Sequence, residues 1–284
     1  MLECVANVAE GRDRAVLEEL AAACGPSLLD LHVDADHHRS VFTLAGPGPG
    51  DASEAARALA RAVSARLDLT GHEGVHPRLG ALDVVPFVAL DEPPAAAVEA
   101  ARTFAAWLAH ELGVPAFLYD AADPAGRSLP EVRRAAAGGQ AADVGPARPH
   151  PSLGTAAVGA RAPLVAVNCW LAPADVDLAR SIAAGVRGRD GGLPGVRALA
   201  FPLGSRDGVQ VSLNVTDLEA TGVEAACTAV RERAAAAGAA VDRVEWVGLV
   251  PEAEVARCSP EFLTWSGLDR SRTVEARLAA APRR

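Results

Sequence analysis

Compact apolar runs and stretches of helical periodicity alternate along this chain in an order that repeats. The first half predicts strand Leu2–Val5, helix Asp13–Ala23, strands Leu28–Val33 and Arg39–Ala45, helix Ala52–Leu67 and strand Ala81–Leu90. Strands are read from alternation or short apolar runs, helices from apolar positions recurring every three to four residues. Pro94, a residue suited to a first helical turn, opens a further helix to about Leu112. A short strand Ala116–Tyr119 and a helix near Leu129–Ala136 follow. From Gly138 to Pro163 glycine and proline recur without a period, so this stretch is expected to be one long loop, functional or disordered.

The second half predicts strand Leu164–Trp170, helix Ala174–Val186, strands Val196–Leu203 and Gly208–Val215, helix Ala220–Ala237 and strand Val241–Val247. Each half therefore reads βαββαβ, the ferredoxin-like plan in which helices cover one face of a mixed sheet. The fold class expected is α/β (α+β), with subdomains 1–163 and 164–284. A ligand tunnel or groove between two such units is the expected binding place.

Half of the residues are apolar and 22% are charged, the balance of an ordinary folded protein, and the net charge is −9. That charge gives no general attraction to nucleic acid or an anionic membrane, so an anionic ligand needs a local basic pocket. Aromatic residues make up only 4%, too few for base-stacking platforms. All 27 basic residues are arginine. Without lysine there is no Schiff base and no Walker A phosphate loop. The five cysteines are scattered, without a C-x-x-C pair, which predicts reduced thiols and a cytoplasmic protein. The start at Leu2-Glu3-Cys4-Val5, without a basic or apolar leader pattern, leads us to expect no signal peptide, and no apolar run approaches the roughly 20 residues that span a bilayer.

The densest chemistry lies in Gly71–Phe87, where His72, Glu73, His76 and Arg78 precede an apolar strand. The string His72-Glu73-Gly74-Val75-His76 matches H-E-x-x-H, but a zinc protease needs both histidines on one helical face. Gly71 and Gly74 weaken a helix, and Pro77 drives His76 into extended backbone. No metal is therefore expected. A general acid/base role for His76 fits better, with Arg78 as a neighbouring cation that favours the neutral ring. Three further clusters surround it in the sequence. Asp34-Ala35-Asp36-His37-His38-Arg39 joins two strands; its plain reading is a solvated hairpin turn. Asn7-Val8-Ala9-Glu10-Gly11 follows the first strand; its plain reading is a turn and helix cap. Gly145-Pro146-Ala147-Arg148-Pro149-His150-Pro151-Ser152-Leu153-Gly154 is either a linker or a stiff loop. In the second case its backbone amides, with Arg148 and His150, hold a carboxylated ligand.

Taken together these clusters resemble the glutamate formimidoyltransferase family. The likeness runs from Glu3-Cys4-Val5-Ala6-Asn7 through His76-Pro77-Arg78-Leu79-Gly80-Ala81-Leu82-Asp83 and Asp143-Val144-Gly145-Pro146. It continues to Arg187-Gly188-Arg189-Asp190, Gln210-Val211-Ser212-Leu213-Asn214 and Val247-Gly248-Leu249-Val250-Pro251. The chain departs from the family pattern at Ala6–Gly11, at Asp34–Arg39 and at Arg148–Pro151. The resemblance implies two α/β subdomains, a homodimer, and transfer of a formimidoyl group between N-formimidoyl-L-glutamate and tetrahydrofolate as co-substrate. It implies His76 as the catalytic residue and Gly145–Gly154 as the folate-contacting loop. Asn7, Asp34, Arg39, His72 and Arg78 join them as candidate substrate contacts. Two other readings stay open: a paralogue that binds folate or an amino acid without turnover, and a metallohydrolase. A hydrogen bond from His76 to Asp34 or Glu10 would favour catalysis over mere binding.

Overall fold

A computed structural model describes residues 1–48, 50–74, 76–203 and 208–281, which leaves Val75 of the histidine segment outside it. The described residues form two compact units that part between Ala162 and Pro163. In the first unit β1 (Leu2–Val8), α1 (Arg14–Cys24), β2 (Leu28–Asp34), β3 (Arg39–Ala45), α2 (Asp51–Arg66) and β4 (Leu82–Ala89) follow the βαββαβ order. They are followed by α3 (Pro94–Leu112), β5 (Ala116–Asp120), α4 (Leu129–Ala137) and β6 (Ala156–Arg161). The sheet order is β2-β3-β1-β4-β6-β5. β1 is antiparallel to β3 and β4, and β6 is parallel to both β4 and β5.

The amphipathic α1, α2 and α3 bury Leu17, Leu20, Leu59, Val63, Phe104 and Leu108 against Phe42, Leu44, Val85 and Phe87 of the sheet. Burying one such side chain contributes about 1.5–3 kcal/mol. α4 lies apart from that core: its Val132 packs with Val84, Phe117, Tyr119 and Ala157. Strand side chains alternate between faces, so Val84 and Val85 belong to opposite faces and α4 covers the other side of β4. This helix carries a residue of the site.

The second unit contains β7 (Val165–Ala172), α5 (Val176–Val186), β8 (Val196–Leu203), β9 (Gly208–Val215), α6 (Val223–Ala236) and β10 (Ala240–Val247). Its antiparallel sheet runs β10-β7-β9-β8 and shares a core with α5 and α6. Short helices α7 (Glu252–Ala256), α8 (Pro260–Ser266) and α9 (Val274–Ala280) follow the last strand, beyond the elements that periodicity predicted.

Two expectations are corrected. The Gly138–Pro163 stretch is not all loop, because β6 lies inside it and joins β4 to β5. Its residues Ala156 to Ala160 are small and buried, and a parallel strand enclosed on both sides shows no alternation. The chain approach is close: a Cβ on Gly159 would stand 2.5 Å from the Tyr119 ring. The second correction concerns Asn7 and Val8, which belong to β1 rather than to the loop after it. Asn7 is thereby fixed by the sheet.

Candidate active site

The C-terminal end of β1, the N-terminal ends of β3 and β4, and the segment preceding β4 converge at one end of the first sheet. Between the paired positions Asn7↔Val84 and Val8↔Leu82 the register slips, which leaves Asp83 as the extra residue of a β-bulge. A bulge re-aims a side chain without ending the strand. The Asp83 carboxylate is fully buried and fully used. Its Oδ1 accepts the Leu79 N–H at 2.6 Å, and its Oδ2 accepts from Arg39 Nη1 at 2.5 Å and from Arg133 Nη2 at 2.7 Å. Arg39 also donates through Nη2 and Nε to Asn7 Oδ1, at 2.9 and 3.2 Å. Asn7 in turn donates to the Val5 carbonyl at 3.0 Å. Strands β1, β3 and β4 are thus joined to α4 by one charge-assisted network.

His76 is coupled to this network through a single carbonyl. Its Nδ1–H donates to Pro77 O at 2.7 Å, and the same oxygen accepts from Arg133 Nη1 at 3.2 Å. That bond fixes the Nδ1–H tautomer and makes Nε2 the nitrogen that carries the lone pair. Burial lowers the His76 pKa, and the Arg39 cation, then Arg133, lower it further against Asp83, to about 3. His76 is therefore neutral at physiological pH. Arg39 and Arg133 supply the cations expected of Arg78. Asp83 shows the converse balance. Burial pushes its carboxyl up, and Arg39, Arg133 and the Leu79 amide bring it down to about 2.

The other histidines of the segment have separate tasks. His72 stacks on His38 with ring centroids 4.0 Å apart and planes inclined 25°. Arg78 Nη1 donates to His72 Nδ1, and the same guanidinium donates to the carbonyls of His72, at 3.2 Å, and Gly74, at 3.0 Å. Arg78 therefore ties its own loop together. Burial, followed by the Arg78 charge, lowers the His72 pKa. His38 accepts the Gly11 N–H at 3.1 Å, and burial, then His72, lowers its pKa. Gly74 permits the loop to close on the β2–β3 turn, since a Cβ there would meet His37 O at 2.6 Å. Neither Asp34 nor Glu10 is the anchor of His76. Asp34 holds His37, and Glu10 Oε1 accepts the N–H groups of Gly11, Arg12 and Asp13 at 2.7–2.9 Å.

The Gly145–Gly154 loop divides into two parts. Gly145 through Pro149, Arg148 included, is exposed. The turn from His150 to Gly154 is pinned. Leu69 donates its N–H to Ser152 O, Ala81 to Leu153 O, and Thr155 to Leu79 O, at 2.8–3.0 Å. The amides of this turn are already satisfied: Gly154 N–H by His150 O, and Ser152 and Leu153 N–H by His150 Nδ1. An anion nest at Ser152–Gly154 is thus ruled out, while the turn sets the loop beside Leu79–Ala81, just ahead of Asp83.

Asn7, Arg39 and His76 come together as the sequence suggested; Asp83 and Arg133 complete the group and were not singled out. Asp83 had a signal, a lone acid in an apolar strand. Arg133 had none beyond its place on an amphipathic helix. Among the described residues no group of three or more His, Cys, Asp and Glu side chains is arranged to hold a metal ion. The arrangement offers instead a neutral imidazole of fixed tautomer beside two guanidiniums and one carboxylate, suited to moving a proton on an anionic substrate.

Comparison with known proteins finds relatives over both units. The model described as "Formiminotransferase domain, N-terminal subdomain" matches residues 1–161, and "Formiminotransferase domain" matches residues 166–269. Glutamate formimidoyltransferase of Streptococcus pyogenes serotype M1 is 37% identical over 267 residues, which cover 88% of this chain and 89% of that protein. The enzyme of the same name from Thermoplasma acidophilum is 33% identical over 299 aligned positions, covering 99% and 98%. Formimidoyltransferase-cyclodeaminase of Sus scrofa is 36% identical over 277, covering 88% of this chain and 50% of that longer protein.

Proposed function

The chain belongs to the formiminotransferase domain family, and from that premise we propose that it transfers a formimidoyl group between N-formimidoyl-L-glutamate and tetrahydrofolate. The observation that carries this reading is the neutral His76, held in one tautomer by Pro77 O beside the Arg39–Asp83–Arg133 cluster.

In the transfer, a tetrahydrofolate nitrogen forms a bond to the formimidoyl carbon and gives up its proton. The bond from that carbon to the glutamate nitrogen then breaks, and the departing amine takes a proton. His76 Nε2 accepts the first proton and returns one to the leaving nitrogen, so the sequence is balanced without another reagent. Two cations and one anion leave the cluster with one net positive charge, suited to a substrate carboxylate. A bound carboxylate offsets the guanidiniums and raises the proton affinity of His76 when the base is needed.

Asn7 acts by fixing Arg39, and His72 and Arg78 act by fixing the loop that bears His76. The folate is assigned to the exposed part of Gly145–Gly154, with Arg148 toward its anionic tail, and the histidine-degradation and one-carbon roles follow from these substrates. A cytoplasmic homodimer completes the reading; no helix among the described residues is long and apolar enough to cross a membrane. The test is an absorbance assay for 5-formimidoyltetrahydrofolate with purified protein and both substrates. Turnover lost in His76→Ala upholds the assignment. Binding of folate without turnover in the unaltered protein overturns it in favour of a binding paralogue.

A further inference from the structure

The two cations around Asp83 are held in different ways. Arg39 commits all three of its nitrogens: Nε and Nη2 donate to Asn7 Oδ1, and Nη1 donates to Asp83 Oδ2. Its side chain is 12% exposed. Arg133 makes one bond from each terminal nitrogen, to Pro77 O at 3.2 Å and to Asp83 Oδ2 at 2.7 Å, and 19% of its side chain stays exposed. Its Nε–H and one hydrogen on each terminal nitrogen have no acceptor among the described residues. The helix accounts for the difference. α4 begins in a capped turn, where the Ser128 N–H donates to Glu131 Oε2 at 2.8 Å and Pro130 occupies the first turn. Leu129, Val132 and Ala136 form its buried stripe, and Arg133 follows Val132 at the border of that stripe. Arg133 thus reaches Asp83 from the rim of the cluster, whereas Arg39 reaches it from within the sheet.

We propose that Arg133 binds the α-carboxylate of N-formimidoyl-L-glutamate and so selects donors with an acid on the carbon that bears the reacting nitrogen, while Arg39 holds Asn7 and Asp83 in place. The inference rests on formimidoyl transfer at this site. Arg133 and His76 donate to the same oxygen, Pro77 O, so a group bound by Arg133 stands close to the imidazole that exchanges protons. The substrates bring several carboxylates, but only one is bonded to the carbon next to the leaving nitrogen. The γ-carboxylate lies two methylene groups further along, and the folate carboxylates lie beyond the aminobenzoyl group. The α-carboxylate is therefore the one that comes to Arg133 when the nitrogen comes to His76. A guanidinium edge meets a carboxylate with two parallel N–H···O bonds, a match an ammonium cannot make. The bound acid also balances the site, two guanidiniums against two carboxylates.

Arg133→Gln keeps a hydrogen-bonding amide and removes the charge and the fork. Its KM for N-formimidoyl-L-glutamate is expected to rise about ten- to a hundred-fold, with the KM for tetrahydrofolate within about two-fold. A matched donor isolates the contact: N-formimidoyl-4-aminobutyrate lacks the α-carboxylate and keeps the distal one. The wild type is expected to prefer the glutamate donor about ten- to a hundred-fold in kcat/KM. Arg133→Gln is expected to use the two donors alike, since removing either partner of a contact abolishes the same interaction. A preference retained in the variant, an equal loss on both donors, or a rise confined to the KM for tetrahydrofolate overturns the proposal. Calorimetric titration of each donor in the absence of folate reads the contact without turnover. There Arg133→Gln is expected to weaken the glutamate donor alone, and equal binding of both donors by the wild type overturns the proposal. Inactivity of the folded wild type in the absorbance assay overturns the transferase reading instead. Should Arg133→Gln fail to fold, Arg133→Lys keeps the charge beside Asp83 without the fork. It is read by the same two measurements, with the donor preference expected to narrow.

Discussion

At the scale of the residue, His76 shows how placement sets chemistry. Burial and the Arg39 charge lower its pKa to about 3, so the ring is neutral where an exposed histidine near pH 6.5 is half charged. His76→Ala is expected to lower kcat by about 10²–10⁴-fold, with the circular dichroism of the folded protein unchanged. The sign of the pH effect on stability follows from the depressed value. Between about pH 6.5 and 3 the unfolded chain binds a proton at this histidine that the folded chain does not. Stability therefore falls as pH drops through that window, and His76→Gln should flatten the fall in a series of denaturant melts. Arg78 leads to a different expectation. Its donors go to the ring and carbonyl of His72 and to the carbonyl of Gly74, so Arg78→Ala should loosen the loop and lower kcat more than it raises either KM. A rise in the KM of one substrate alone would restore Arg78 as a carboxylate clamp. The clustering of His76, Arg39 and Asn7 was legible because each sits in a short polar interruption of the apolar pattern. The joining of Asp83 to Arg133 across a separation of 50 residues was not, since no local period records which helix face meets which sheet face.

At the scale of the element, a single slipped register does most to build the site. The bulge at Asp83 places a carboxylate where Arg39 of β3 and Arg133 of α4 both reach it. Its pKa, held at about 2 against an ordinary 3.8, makes it a depressed acid. The stability it contributes, about 2 kcal/mol, is fully present above pH 4 and is lost as pH falls toward 2. Asp83→Asn should remove that acid-side dependence and destabilise the protein at neutral pH, because two part-buried guanidiniums lose their anion. Urea melts at pH 7 and at about pH 3 would show the difference between the proteins narrowing at the lower pH. The strand β6 illustrates what periodicity cannot show. Its short run of Ala, Val and Gly has no alternation, and it becomes a strand because β4 and β5 enclose it and Tyr119 closes over Gly159. Gly159→Ala should therefore cost about 1–3 kcal/mol by overpacking, although alanine is the commoner residue in β6. A melt indistinguishable from wild type would show that Tyr119 moves aside freely.

At the scale of the whole molecule, the two units repeat one strand order: β4-β1-β3-β2 in the first and β10-β7-β9-β8 in the second. That repeat was legible because both units keep their apolar runs at corresponding places, even though the first adds two strands at its edge. The charge of the molecule raises a further question, since a protein of net charge −9 is proposed to recruit two anionic substrates. On that proposal the general field repels them, and the attraction is expected to come from Arg39, Arg133 and the exposed Arg148. Salt distinguishes these contributions, for the screening length falls from about 30 Å at 0.01 M to about 8 Å at 0.15 M. Long-range repulsion is screened away over that range, while contact between a carboxylate and a part-buried guanidinium is screened much less. The expected result is a kcat/KM for each substrate that holds steady or rises as ionic strength increases. If exposed Arg148 dominates recognition, kcat/KM falls steeply instead, and Arg148→Gln removes the slope. Measuring kcat/KM against ionic strength in both proteins locates the anion contact at the buried pair or in the loop.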